Sequence, residues 1–107
     1  MIKVIEWEAL RKLLTARSVK LIDVREPLEY NAGHIPLAIN LPLTTLPVLL
    51  PPNATNKDTP LVFYCYSGVR CAKAAEFAQQ IGYVNVQSYK GSWSEYSSLP
   101  PELKDFN

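Results

Sequence analysis

The stretch LVFYCYSGVRCAKAAEFAQQIG, residues 61–82, decides the class of fold this chain can adopt. LVFYC is short, apolar and rich in β-branched and aromatic residues, and it reads as a buried strand. From Val69 the Ala-rich run RCAKAAEFAQQIG brings Ala74, Phe77, Ala78 and Ile81 to one face and meets Gly82 as a stop, which reads as a helix. Strand, tight loop and helix in that order form the repeating unit of a parallel α/β sheet. The order also puts the loop at the carboxyl end of a central strand, the edge at which open α/β sheets bind ligands.

The flanking sequence continues the alternation. IEWEALRKLLTAR sets Trp7, Leu10, Leu13 and Leu14 on one helical face. VKLIDV is apolar, ends in polar DVRE and reads as a buried strand. Pro27 fits the first turn of a short helix, PLEYNA, and Gly33 fits its stop. HIPLAINLP alternates Ile39 and Leu41 around Asn40, a short strand limited by prolines. LPLTTLPVLLPPNATNKDTP carries Pro42, Pro47, Pro51, Pro52 and Pro60 and reads as a long connection with one helical turn at TTLPVLL. VNVQSY reads as another strand. Ser92 followed by Glu95 has the pattern of a capping box, opening a short helix before LPPELKDFN. Helix, strand, helix, strand, connection, strand, helix, strand, helix predicts an α/β fold with a mostly parallel sheet, in a single domain over 1–107.

Composition narrows the function. A chain of 107 residues buries a real core without staples, which are needed only below about 40 residues. A net charge of +1 offers no basic field for nucleic acid, and no lysine/arginine cluster is interleaved with aromatics. Cys65 and Cys71 are too few for a disulfide framework, and with His34 as the single histidine they are too few for a zinc site. No zinc site is expected, and the thiols are read as reduced. MIKVIEWEAL carries acids and no long apolar stretch, so it reads as neither signal nor transit peptide. No run approaches the roughly 18 apolar residues of a membrane span. A cytoplasmic location is expected, with an organelle form stripped of its presequence left open.

Two readings of Cys65 compete. Free cysteine is among the most buried residues and is usually inert, so a strand-end cysteine alone reads as structural. The loop CYSGVR shifts the balance. Gly68 tolerates φ > 0, and a curled loop feeding a helix turns its N–H groups inward under the helix dipole. Such surroundings lower a thiol pKa from about 8.5 into the range of roughly 3.5–7.5. Arg70 adds a fixed positive charge. The expected product is a thiolate facing an anion-sized pocket, with the backbone of Tyr66, Ser67, Gly68, Val69 and Arg70 as its wall and the Ser67 hydroxyl as an extra donor.

At these residues the sequence resembles the single-domain rhodaneses, a family of sulfurtransferases. LIDVREPLEYNAGHIPLAINLP (21–42) is similar to the family's Asp-x-Arg…Glu…Gly-His-Ile-Pro…Ala-Ile-Asn pattern. LVFYCYSGVR (61–70) resembles its Cys-x-x-Gly-x-Arg active loop, and GYVNVQSYKGSWSEY (82–96) its late strand, glycine and tryptophan. The resemblance implies a central parallel sheet flanked by helices on both faces, with Cys65 as nucleophile. It implies a persulfide formed from a sulfane donor such as thiosulfate and passed to cyanide, a thiol or a protein acceptor, with no cofactor. A carrier module serving a protein partner is the alternative. The related cell-cycle phosphatases use a longer loop, Cys-x5-Arg, and Cys71 occupies the position of that arginine, so phosphatase and arsenate-reductase readings lose ground.

The remaining candidates are read as architecture. Asp23 and Arg25 end the first strand, and Arg25 is expected to pair with an acid such as Glu29. His34 is expected to hydrogen-bond a loop. Cys71 could resolve an oxidised Cys65 as a disulfide, but is read as a small helix residue packed on the sheet. Trp93 is read as core or pocket-edge packing. Lys90 stands where the family often has a second glycine, and could add positive charge near the mouth.

Overall fold

The computed structural model of the chain describes residues 2–106; Met1 and Asn107, the ends of the expected 1–107 domain, lie outside the described residues. In chain order the elements are β1 (Lys3–Ile5), α1 (Trp7–Thr15), β2 (Lys20–Asp23), α2 (Pro27–Ala32), β3 (Ile39–Asn40), a 3-10 turn (Leu43–Thr45), α3 (Leu46–Asn53), β4 (Leu61–Tyr64), α4 (Val69–Gln80), β5 (Val86–Tyr89), α5 (Ser92–Tyr96) and α6 (Pro101–Lys104). The five strands lie in the order β1-β5-β4-β2-β3. Every neighbouring pair is parallel, with Ile22 beside Phe63 and Val62 beside Gln87.

Side chains alternate across the pleat, so each strand feeds two cores. On one face Ile22, Leu61, Phe63 and Val86 meet Leu46 and Leu50 of α3 and Cys71, Ala74, Ala75 and Ala78 of α4. The small side chains let α4 lie close to the sheet. On the other face Leu21, Val62, Tyr64 and Tyr89 meet Trp7, Leu10 and Leu14 of α1, Tyr96 of α5 and Phe106. Helices therefore cover both faces, which suits a parallel sheet. Trp7 fastens the C-terminal segment: its ring packs edge-on against Tyr96 and Phe106, and its Nε1–H donates to the Leu103 carbonyl at 2.7 Å.

Three local expectations need correction. β1 precedes α1, where the sequence reads as beginning with a helix; it is three residues long, an edge strand with Lys3 and Val4 exposed, and too short to show a period. The proline-rich connection holds a full helix, α3, rather than one turn. Pro47 sits in its first turn, and Pro51 and Pro52 fall at its end, so burial of Leu46 and Leu50 holds it where backbone bonds are missing. Ser92 is the first residue of α5 and not its cap; Gly91 is the cap. Among the described residues no helix is long and apolar enough to cross a membrane.

Candidate active site

Cys65 is the first residue beyond β4, and its backbone is laced to the start of α5. Its N–H donates to Ser92 Oγ at 3.2 Å, and its carbonyl accepts from Trp93 N–H at 2.9 Å. The Tyr66 carbonyl accepts from Ser94 N–H at 2.9 Å. Ser92 holds a left-handed backbone, φ +55°, that side chains other than glycine rarely adopt. Its hydroxyl compensates by accepting from Cys65 and donating to the Tyr89 carbonyl at 3.0 Å, thereby joining the ends of β4 and β5. This is why the expected capping box does not form: the Ser92 hydroxyl is committed to the strand ends, and Glu95 takes the Tyr89 phenol.

The loop from Cys65 to Arg70 closes tightly over the sulfur. Gly68 N–H donates to Cys65 Sγ at 3.0 Å. Gly68 has φ +102°, and a Cβ there would lie 3.1 Å from the Lys90 carbonyl oxygen, so a side chain is opposed by both backbone and neighbour. Gly68 also caps the N-terminus of α4, whose dipole favours negative charge at the sulfur. The Cys65 thiol is drawn down to about 5, foremost by the hydrogen bond from the Cys71 thiol, then by the Cys71 and Gly68 amides and Ser92, against the opposing effect of burial. Cys71 is pushed well above the ordinary thiol value by its bond to Cys65 and by burial. Cys65 is thus the thiol that ionises and Cys71 the one that keeps its proton.

Cys71 packs in the core with α4, as a small helix residue should. The sequence reading missed its contacts beneath the cysteine loop: its thiol donates to the Gly68 carbonyl at 3.4 Å and lies 3.8 Å from Ser92 Oγ. The only trace in the sequence is a polarisable side chain in the first turn of the helix that follows the loop.

Two further expectations change. Cys65 is 1% exposed, so the sulfur sits beneath the loop rather than in an open anion-sized pocket. The physical reason is the inward fold of Gly68 and the two backbone bonds that hold Cys65 and Tyr66 to α5. The rim is exposed: Tyr66, Ser67 and Val69 face outward, and a groove beside them is lined by Ser67, Gly68, Val69, Ser88 and Lys90. Lys90 therefore lies near the rim with its side chain exposed.

The ion pairs are also arranged differently. Arg25 pairs with Asp23 and not with Glu29: its Nη2 lies 2.7 Å from Asp23 Oδ2, with both side chains buried. The same Nη2 donates to the Gly33 carbonyl at 2.7 Å, and the guanidinium carbon stands 4.9 Å from the centre of the Trp93 ring. Asn40 donates to the carbonyls of both Asp23 and Arg25. Asp23 and Arg25 thus tie β2, the end of α2, β3 and Trp93 together. Glu29 pairs instead with Arg70, accepting from Nη1 at 2.7 Å and Nη2 at 3.0 Å. The Arg70 guanidinium holds Glu29 down to about 2. His34 sets Nδ1 3.0 Å from the Tyr30 carbonyl and stacks on the Tyr30 ring at 3.7 Å, a local contact of the kind expected. Among the described residues no group of three His, Cys, Asp or Glu converges to hold a metal.

Comparison with known proteins agrees with this geometry. The sequence matches the family described as "Rhodanese-like domain" over residues 6–99. Thiosulfate sulfurtransferase/rhodanese-like domain-containing protein 3 of Mus musculus is 35% identical over 106 residues, covering 88% of this chain and 68% of that protein. The thiosulfate:glutathione sulfurtransferase of Saccharomyces cerevisiae is 36% identical over 94 residues, covering 76% of this chain and 66% of its own. The human single-domain sulfurtransferase TSTD1 superposes with a TM-score of 0.82 at 28% identity, over 94% of this chain and 99% of that one. A parallel sheet with helices on both faces, a Cys-x-x-Gly-x-Arg loop at the end of its central strand and a family match across most of its length make this chain a member of the rhodanese-like domain family.

Proposed function

We propose that this chain is a sulfurtransferase that carries sulfane sulfur as a persulfide on Cys65. The observation that carries the reading is the sulfur of Cys65, bonded by Gly68 N–H at 3.0 Å and drawn down to about 5, which makes it a thiolate at neutral pH. The thiolate attacks the outer sulfur of thiosulfate. A Cys65 S–S bond forms, the S–S bond of thiosulfate breaks with its electron pair, and sulfite leaves. Cyanide or a thiolate then attacks the outer sulfur of the persulfide, taking it as thiocyanate or a new persulfide and returning Cys65 as thiolate. In this reading amides at the N-terminus of α4 stabilise the negative charge in both steps, and Arg70, the cation of the loop, binds the sulfonate end of the donor. The names of the relatives support thiosulfate as donor and a thiol such as glutathione as acceptor.

A second reading, a carrier that exchanges sulfur with a protein, draws on the rim: Tyr66 is 51% and Val69 63% exposed beside the loop. A phosphatase reading is disfavoured, since Cys71 and not arginine ends the six-residue span after Cys65.

Intact mass after incubation with thiosulfate tests the proposal. The expected result is the gain of one sulfur atom, absent in Cys65→Ser; no adduct at neutral pH overturns it. Turnover with cyanide or a small thiol then supports the enzyme, whereas turnover only with a protein acceptor supports the carrier. Arg70→Ala is expected to raise the thiosulfate concentration needed, and an unchanged dependence removes Arg70 from donor binding.

A further inference from the structure

We infer that the groove beside the cysteine loop seats the sulfur acceptor, and that the acceptor it takes is a small thiol bearing a carboxylate, held by Lys90 and the Ser88 hydroxyl. This deepens the sulfurtransferase reading and rests on Cys65 carrying the sulfur.

The groove exists because α4 does not reach the edge of the sheet. Val86 of β5 packs under α4, and Ser88, two residues on, faces the same way. Val4 of β1 is the register partner of Ser88 and lies beside it. Val4 is nevertheless 58% exposed, so α4 leaves this strip of sheet uncovered. Between the strip and the flank of α4 at Val69 and Ala72 runs a cleft of about 500 Å³, bounded at the loop by Ser67, Gly68 and Lys90. That volume suits a small ligand. Gly68 joins the groove to the chemistry, since its amide donates to Cys65 Sγ at 3.0 Å.

The polar groups of the groove lack partners. Ser88 is 4% exposed, yet among the described residues its hydroxyl has no hydrogen bond within the protein. Every described side-chain nitrogen or oxygen shut off from solvent does find a partner. The Ser88 hydroxyl is therefore the part of that residue that opens onto the groove. An unpaired hydroxyl in such surroundings gains most from a ligand that bonds to it. The cation is Lys90. Its N–H donates to the Ile5 carbonyl at 3.1 Å, and its own carbonyl packs against Gly68, so the residue is anchored at the loop while its side chain stays exposed. Among the described residues no carboxylate pairs with it. Arg70, by contrast, is engaged by Glu29.

These groups specify the ligand. An ammonium and a hydroxyl recognise a carboxylate through charge-assisted hydrogen bonds. Val4, Val69 and Ala72 offer a surface for carbon, which thiosulfate lacks and cyanide is too small to use. A short thiol whose carboxylate meets Lys90 and Ser88 lays its carbons on that surface and keeps its sulfur at the loop. Its thiolate attacks the outer sulfur of the Cys65 persulfide. That S–S bond breaks, the electron pair returns to Cys65, and the acceptor leaves as a new persulfide.

The test separates loading from discharge. The full chain is loaded with thiosulfate, freed of donor and weighed, and the rate at which an acceptor removes the sulfur is followed by intact mass. Mercaptopropionate and mercaptoethanol are compared, probes of similar size of which only the first carries a carboxylate. Lys90→Gln should lower the ratio of their rates, carboxylated over neutral, by roughly three- to fivefold, the size of an exposed ion pair. Lys90→Arg should keep the ratio. Ser88→Ala, which removes only an unpartnered hydroxyl, should lower it too. Ala72→Leu, at an exposed helix position, narrows the groove and should slow both thiols relative to cyanide. A ratio that Lys90→Gln or Ser88→Ala leaves unmoved, or a leucine variant that slows cyanide as much as the thiols, overturns the groove as the acceptor's seat. A chain that loads sulfur normally and fails these comparisons keeps the persulfide proposal; a chain that never gains the sulfur overturns both.

Discussion

The guanidinium of Arg70 forks onto the carboxylate of Glu29, at 2.7 and 3.0 Å, and so bridges the end of the cysteine loop to α2. Arg70 is therefore a partnered cation. An incoming anion must compete with Glu29 or share the guanidinium with it.

Glu29→Gln removes that competitor. The thiosulfate concentration giving half-maximal persulfide formation should fall by roughly two- to fivefold, the equivalent of a surface ion pair of at most about 1 kcal/mol. A rise instead would mean that Glu29 holds Arg70 in its working pose.

The same pair should leave a mark on acid stability. The folded pKa of Glu29 is lowered, so its stabilisation is fully present above the ordinary value of 4.5 and is lost as pH falls towards about 2. Its size is at most about 1 kcal/mol, because both side chains are about a third exposed. The gap in urea midpoint between wild type and Glu29→Gln should close over that window; a constant gap would contradict the pairing.

Cys65 has a lowered folded pKa as well, so persulfide formation should rise with pH around 5 and be nearly flat near neutrality. In the window between about 5 and the ordinary thiol value of 9.0 the unfolded chain binds the extra proton, so stability should climb with pH. Melting temperature against pH, compared with Cys65→Ala, reads this directly. Parallel curves would show that Cys65 is not ionised in the folded protein.

Asp23→Ala leaves the Arg25 guanidinium, 2% exposed, without its counter-ion. Loss of about 3–5 kcal/mol in urea unfolding is expected, a large part of the roughly 5–15 kcal/mol that holds a domain of this kind together. An unchanged midpoint would remove Asp23 and Arg25 from the architecture.

Gly68→Ala forces a side chain into φ +102° and against the Lys90 carbonyl. Beyond roughly 1 kcal/mol of lost stability, the Gly68 amide should swing off the sulfur. The thiolate midpoint should rise as a result. Normal stability with an unmoved midpoint would show that the loop tolerates the change.

Legibility in the sequence followed the length and burial of each element. β2 and β4 are buried, mostly apolar runs, β5 is buried along its whole length between Val86 and Tyr89, and α1 and α4 carry a helical face, so their residues announce them. β1 has one buried residue, Ile5, and no pattern to read. α3 hid behind Pro51 and Pro52, because its hold on the sheet comes from Leu46 and Leu50 and not from helix-forming composition. The loop was readable because Cys65, Gly68 and Arg70 are close in the chain. The partners of that loop were not: Glu29 reaches Arg70, and Ser92 reaches Cys65, only through the crossing of strands. The left-handed backbone of Ser92 has no signature, since serine there looks like a helix cap until its hydroxyl finds the strand ends.

The strand order has a consequence for the birth of the molecule. Of the five strands β1 leaves the ribosome before the others, yet the strand it pairs with, β5, is the last of the five to be made. Ser92, Trp93 and Ser94, which lace Cys65 and Tyr66 in place, emerge later still. Pairing between such distant segments is the slow part of folding. A nascent chain that has released Cys65 but not yet α5 therefore holds an ordinary thiol, and the sulfur gains its acidity only once residues 92–94 have emerged and the sheet has closed.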